Sequence, residues 1–307
     1  MFENKSIIIG VSGGIAAYKT AYLVSALSKT EADVNVIMTK NACEFISPLV
    51  FETLTGNKCY VDTFDRNFKF DVEHISLAKK ADIFMIAPAT ANVIAKIANG
   101  IADDMLTTTF LASKCKKIVS PAMNTAMFEN QITQDNIAKL KKYEIGVVEP
   151  QNGLLACGDT GAGKMPEPDF LFDVIEREIA REKDMLGKKV LVTAGATMES
   201  LDPVRFLTNH SSGKMGFAIA KEAMLRGAEV TVVKANTTAE IPNFVKIVEV
   251  SSAKDMFDAV TALSDQQDII VKAAAVADYT PESYVDSKIK KKDGDLSIPL
   301  KRTMDIL

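Results

Sequence analysis

Short, wholly apolar runs alternate with longer helical patterns from one end of the sequence to the other. Ile7-Ile8-Ile9 is followed by a periodic stretch at 16–28 and then by Val34-Asn35-Val36-Ile37-Met38. The same alternation runs on through Ile83-Phe84-Met85-Ile86 and Ile118-Val119 to Gly146-Val147-Val148, with helical stretches at 93–98, 105–112 and 132–143. Strands of four or five apolar residues joined by helices predict a parallel sheet covered on both faces. A Gly- and Pro-rich segment at 150–168 and an amphipathic helix at 170–182 follow, and after Arg181-Glu182-Lys183-Asp184 the alternation restarts at Lys188-Lys189-Val190-Leu191-Val192. The 307 residues suit two domains of ordinary size. The expected fold is therefore α/β, two tandem Rossmann-like doubly wound domains, divided at 1–184 and 185–307.

Composition removes several classes of function. Acidic residues outnumber basic ones by 40 to 36, so no global positive field draws the chain to nucleic acid or anionic lipid. No apolar run reaches the roughly 20 residues of a membrane span. The first residues, Met1-Phe2-Glu3-Asn4-Lys5, carry an acid where a secretory signal carries only bases. A cytoplasmic protein is expected, with neither membrane nor nucleic acid as partner. Cys43, Cys59, Cys115 and Cys157 lie far apart without a C-x-x-C pair, which suggests neither a disulfide framework nor a zinc site.

The chemistry gathers where strands end. Gly10-Val11-Ser12-Gly13-Gly14 closes the first strand and leads into a helix, a place where backbone N–H groups reach a phosphate. Ser12 adds a hydroxyl donor. The spacing is not G-x-G-x-x-G, which disfavours a dinucleotide, and a plain tight turn is the competing reading. Ala87-Pro88-Ala89-Thr90-Ala91-Asn92 ends another strand with small residues that let a flat ligand approach, or with Thr90 as a helix cap. Asn124, in Pro121-Ala122-Met123-Asn124-Thr125, offers a donor and an acceptor to a carboxylate or amide, or caps a helix. His74 opens a short helical stretch; its titration range suits proton transfer, though a lone histidine also serves structure. At 158–164 the pattern G-x-x-x-x-G-K is met, but Met165 stands where Ser or Thr is required and Pro166 interrupts the helix, so a phosphate loop of that type is rejected. Glycines beside Cys157 suggest instead a flap carrying a thiol over a bound substrate, or a surface loop with an incidental cysteine.

In the second domain Thr193-Ala194-Gly195 again ends a strand, and Asn209-His210-Ser211-Ser212-Gly213-Lys214 leads into a helix as a candidate anion site. Asp278 can face a ribose or a metal-bound phosphate. Lys288, Lys290, Lys291 and Lys292 can reach a triphosphate or simply form a solvated surface.

In this order, the segments resemble the bifunctional phosphopantothenoylcysteine decarboxylase/phosphopantothenate–cysteine ligase family of coenzyme A biosynthesis. The first domain carries the resemblance through 10–19, His74, 87–92, 121–127 and 156–165. The second does so through 192–195, Asp202-Pro203-Val204-Arg205-Phe206, 209–216, Ala274-Ala275-Val276-Ala277-Asp278-Tyr279 and Lys288-Ile289-Lys290-Lys291. The resemblance implies a flavodoxin-like domain binding FMN at Gly10, Ser12, Gly13, Gly14, Ala87, Pro88, Thr90, Asn92 and Met123. It implies His74 as the active-site histidine, Asn124 on the substrate carboxylate, and Cys157 as the flap thiol that protonates an enethiolate. In the family the flavin first oxidises the cysteinyl end to a thioaldehyde, which makes loss of carbon dioxide feasible, and later returns its electrons. For the second domain it implies CTP and Mg²⁺, with Asn209 at the acyl cytidylate, Lys288 on nucleotide phosphate, and Ala274, Ala275 and Asp278 along the nucleotide; the metal's own ligands are not identified. A homo-oligomer with FMN at a subunit interface is implied as well. The family continues well past a segment like Lys301-Arg302-Thr303-Met304-Asp305, so the ligase domain is expected to be incomplete at its C-terminal side. Relatives of the flavoprotein fold also include non-catalytic FMN-binding regulatory subunits and flavin prenyltransferases; His74 together with Cys157 favours the decarboxylase.

Overall fold

The computed structural model describes residues 2–63, 73–156, 158–291 and 295–306. The chain separates into two compact units, Met1–Ala180 and Arg181–Leu307.

The first unit is built on a six-stranded parallel sheet. Its strands are β1 (Ser6–Val11), β2 (Asp33–Met38), β3 (Cys59–Tyr60), β4 (Ile83–Ala89), β5 (Lys116–Pro121) and β6 (Gly146–Val147), in the order β3-β2-β1-β4-β5-β6. Every pairing is parallel. The order reverses direction between β1 and β4, which opens a crevice at their carboxyl ends. Strand β1 has no exposed residue and neither has β4, the signature of a strand covered on both faces.

Helices α1 (Ala17–Ser28), α2 (Pro48–Thr55), α3 (Glu73–Lys80), α4 (Ala91–Ala98), α5 (Met105–Ala112), α6 (Thr125–Glu129) and α7 (Gln131–Lys142) connect these strands. Ile8, Phe84, Ile86 and Val119 of the sheet pack with Ile94, Leu106, Phe110 and Leu140, and Phe84 meets Phe110 edge-on at 5.1 Å between centroids. Burying each such side chain contributes roughly 1.5–3 kcal/mol. Gly10 belongs to this packing: a Cβ there would strike Leu106 at 2.5 Å, so its lack of a side chain serves the contact of β1 with α5.

The Gly- and Pro-rich segment is more regular than its composition suggests. β7 (Gln151–Leu154) and β8 (Thr160–Lys164) form an antiparallel hairpin before α8 (Pro168–Ile179). Glycine-rich strands lack the apolar alternation by which hairpins are recognised.

The second unit has a four-stranded parallel sheet from β9 (Lys189–Ala194), β12 (Glu229–Lys234), β13 (Lys246–Glu249) and β14 (Ile269–Lys272), ordered β13-β12-β9-β14. Alternate residues of β9 face opposite layers. Val190 and Val192 pack on Phe217, Ala220 and Met224 of α9 (Lys214–Leu225), while Leu191 packs on Met256 and Val260 of α10 (Ala253–Ser264). Coverage is uneven: edge strand β14 leaves Ile269 and Ile270 about two-fifths exposed, unlike the fully covered sheet that the apolar runs predict. The unit also holds two small antiparallel pairs, β10 (Met198–Ser200) with β11 (Phe206–Thr208) and β15 (Tyr279–Pro281) with β16 (Leu300–Arg302). Among the described residues no helix is long and apolar enough to cross a membrane.

Candidate functional site

In the first unit the strand ends surround a cavity of about 1470 Å³. Ligand pockets commonly measure about 300–1,000 Å³, so the space suits a large cofactor together with a substrate. Gly13 and Gly14 from the turn after β1, Thr90 and Asn92 after β4, and Met123 and Asn124 after β5 line it together. The sequence separates these pairs widely; the parallel sheet places all of them on one rim.

The rim is built by short hydrogen bonds between strand ends. The Ser12 hydroxyl donates to the Pro88 carbonyl at 2.8 Å and accepts from the Thr90 amide at 3.0 Å. Thr20 of α1 donates to the Ala87 carbonyl at 2.7 Å. Ser12, Ala87 and Pro88 are thus committed to holding two turns together, and none of them lines the cavity. Gly13 is tight, since a Cβ would press on Asn41, whereas at Gly14 the nearest atom would be a methyl of Thr90 at 3.7 Å. A bare backbone open to the cavity beside a helix start is the cradle a phosphate needs. Thr90 also caps α4. These residues fit a flavin with its phosphate near Gly14, and when bound it would supply the two-electron chemistry that no side chain here possesses.

Asn124 caps α6 through its Oδ1, which accepts from the Met127 amide at 2.8 Å. Both readings of this residue are thereby compatible: the cap consumes the acceptor and leaves the Nδ2 donor for an anion. The hairpin closes the same wall. Gly163, Lys164 and Met165 line the cavity, and the Met123 amide donates to the Gly163 carbonyl at 3.1 Å. Cys157, between the two strands of this hairpin in sequence, lies outside the described residues.

His74 sits at the start of α3, half-buried, and is not among the residues lining the cavity. Among the described residues, His74 and Asn124 do not line this cavity together.

Several lining residues carry no motif that singles them out in sequence. Thr39 and Asn41 follow β2, where Thr39 caps a 3₁₀ turn; a strand-end threonine beside the glycine turn is the available signal. Lys19 of α1 and Lys164 of β8 both reach Glu167, at 2.8 and 3.4 Å. The Lys19 ammonium foremost, against a smaller effect of burial, holds the Glu167 carboxyl below its ordinary range. Lys96, which also lines the cavity, pairs with Asp103 at 2.8 Å and Asp104 at 3.4 Å.

In the second unit the strand ends are stitched just as closely. Thr193 Oγ1 accepts from the Ala273 and Ala274 amides, both at 3.1 Å, and Thr197 Oγ1 accepts from the Ala277 amide at 3.0 Å. Asn209 Nδ2 donates to the carbonyls of Ala275 and Val276 at 3.3 and 3.4 Å. The structure therefore unites Asn209 with the Ala274–Ala275 segment. Asp278 is exposed, with its carbonyl accepting from the Thr303 amide at 3.0 Å, and Lys288 is exposed on a stretch that is neither helix nor strand. No group of three or more His, Cys, Asp or Glu that could hold a metal occurs among the described residues.

The comparisons with known proteins agree with this two-part layout. The flavoprotein family matches residues 1–180, and the DNA/pantothenate metabolism flavoprotein C-terminal domain matches residues 185–307. A coenzyme A biosynthesis bifunctional protein CoaBC of Bacillus subtilis is 45% identical over the whole chain, which spans 76% of that relative. Its counterpart from Borreliella burgdorferi is 42% identical, again over the whole chain and 79% of the relative. Among solved structures, a PPC decarboxylase mutant complexed with pantothenoylaminoethenethiol is 29% identical, covers 56% of this chain and 96% of its own, and superposes with a TM-score of 0.50.

Proposed function

The chain belongs to the coenzyme A biosynthesis bifunctional protein family, with a flavoprotein domain as its first part, and from this we propose how its two halves divide the work. Residues 1–184 decarboxylate 4′-phosphopantothenoylcysteine to 4′-phosphopantetheine with FMN. Residues 185–307 take part in joining cysteine to 4′-phosphopantothenate at the expense of CTP, with Mg²⁺.

The observation that carries the decarboxylase reading is the shared wall of the first cavity, where a phosphate cradle at Gly13 and Gly14, the Asn124 amide and the flap strand meet. Asn124 Nδ2 holds the substrate carboxylate against the flavin, with its cap bond fixing the amide plane. The Thr90–Asn92 turn and Met123, which line the cavity, would hold the ring of a bound flavin. Cys157 delivers the proton to the enethiolate once carbon dioxide has left. His74 serves a cavity of a second copy, which makes a homo-oligomer with flavin at the interface the active form.

In the second half, Asn209 attends the acyl cytidylate beside Ala274 and Ala275, with Asp278 and Lys288 on the nucleotide. A cytoplasmic location suits this soluble metabolic chemistry. The test is direct: the purified chain is expected to carry a flavin spectrum and to release carbon dioxide from 4′-phosphopantothenoylcysteine. A colourless protein without flavin affinity would overturn the reading.

A further inference from the structure

The Asp202-Pro203-Val204-Arg205 turn between β10 and β11 holds a carboxylate whose side chain has no exposure at all. Its Oδ1 accepts from the amides of Val204 and Arg205, both at 2.8 Å. Those two bonds complete an Asx turn, which an asparagine would make equally well. The second oxygen does something the turn does not need. Oδ2 accepts from Arg205 Nε at 3.0 Å and Nη2 at 2.6 Å, and from the amide of Ile289 at 3.1 Å. Arg205 Nη2 also donates to the Ile289 carbonyl at 2.6 Å.

One backbone unit more than eighty residues away is thus gripped by both its N–H and its C=O. Upstream, the Val285 amide donates to the Leu201 carbonyl at 3.1 Å. Residues 284–291 form neither helix nor strand, so these bonds supply the order that secondary structure does not. Burial opposes the charge on Asp202, yet the Ile289 and Val204 amides and the Arg205 guanidinium outweigh it and hold the carboxyl well below its usual range. A buried carboxylate so fully satisfied is ionised and fixed in place. The residue next to the gripped unit is Lys288. The same hairpin leads through β11 to Asn209, so it links the two residues assigned to the nucleotide reaction.

We propose that Asp202, acting with Arg205, is a positioning residue of the ligase half: it staples Ile289 and thereby sets Lys288 where the nucleotide phosphates arrive. The proposal rests on the reading of Lys288 as a phosphate contact. It does not require Asp202 to touch any ligand.

Asp202→Asn in the full chain keeps the turn acceptor and removes the charge and the Ile289 acceptor. Tryptic cleavage after Lys288, Lys290 and Lys291, and exchange of the Ile289 amide, are expected to rise on the order of tenfold or more while the rest of the chain keeps its protection. CTP affinity, measured with Mg²⁺ by titration, is expected to fall on the order of ten- to a hundred-fold. In a Lys288→Ala background the same substitution should cost nothing further, because both changes act through one ammonium. Unchanged proteolysis and exchange would overturn the staple itself. Losses that multiply in the double variant would overturn its action through Lys288. Unaltered CTP affinity in Lys288→Ala alone would overturn the phosphate-contact reading and the positioning role with it, while loss of protection in Asp202→Asn would still stand as a separate result. Should Asp202→Asn not fold, Arg205→Lys keeps a cation beside the buried Asp202 carboxylate without the fork that reaches Ile289, and the same three readouts decide.

Discussion

The amide of Met123 donates to the carbonyl of Gly163 at 3.1 Å, which fastens the returning strand of the β7–β8 hairpin to the turn presenting Asn124. Gly163 has φ +127°, and a Cβ there would land on the Met123 carbonyl oxygen. Gly163→Ala is expected to unseat the strand and cost at least about 1–2 kcal/mol of stability. Flavin binding should persist, because Gly13, Gly14 and Thr90 stand on other elements. Thermal unfolding, a flavin titration and the rate of carbon dioxide release check the three expectations together.

Asn124 permits a cleaner separation of structure from chemistry. Aspartate caps helices as well as asparagine does, so Asn124→Asp should leave the melting temperature within a degree or two. In the proposed role, the substitution would exchange the Nδ2 donor for a negative charge facing the substrate carboxylate. Loss of a hydrogen bond to a charged group is worth about 1.5–3 kcal/mol, so the specificity constant for decarboxylation should fall at least about ten- to a hundred-fold. A variant that melts early and binds flavin poorly would mean that the cap is the residue's whole role.

These two residues also mark how far the sequence can be read. Strand ends are visible as apolar runs meeting small residues, and the parallel sheet must gather them, so the Gly13–Gly14 turn, Thr90 and Asn124 are legible as one rim. The competing cap readings of Thr90 and Asn124 are legible too, and both caps are present. What escapes is contact between distant side chains. Lys19 and Glu167 are 148 positions apart, and nothing local to either predicts their 2.8 Å pairing. Asp202 reads as an ordinary turn residue until the chain near Ile289 returns to it. Gly10 misleads for the opposite reason: it shares a motif with Gly13 and Gly14, but lies inside the strand, where the packing against Leu106 dictates it.

His74 and Asn124 are expected to meet only across a pair of copies, since His74 is absent from the cavity wall of its own chain. His74→Asn and Asn124→Asp should each be strongly impaired alone. Mixed after gentle dissociation and reassembly, random pairing restores intact sites to roughly a quarter of the total in a heterologous assembly. A mixture as inactive as its components would place both residues in one chain's site and remove the argument for an interfacial flavin.

Thiol chemistry should discriminate among the cysteines by burial. The Cys59 thiol is buried in β3, and burial first, then the Glu52 carboxylate and Cys43, push it up to about 12. At pH 8 the native thiolate fraction there is negligible, so alkylation by iodoacetamide should spare Cys59. In the unfolded chain the thiol ionises near its ordinary value of about 8.5, so the neutral form favoured by the fold stabilises the protein below that pH. That contribution is lost as pH rises from about 8.5 toward 12, and Cys59→Ala should flatten the alkaline limb of the stability curve. Mass-spectrometric mapping of labelled peptides across pH 7–10 checks the first expectation, and denaturant midpoints over the same range check the second. Labelling of Cys59 at pH 8 as fast as in urea would show that β3 opens freely, and the rim formed by the neighbouring end of β2 could not then be a rigid wall for the flavin.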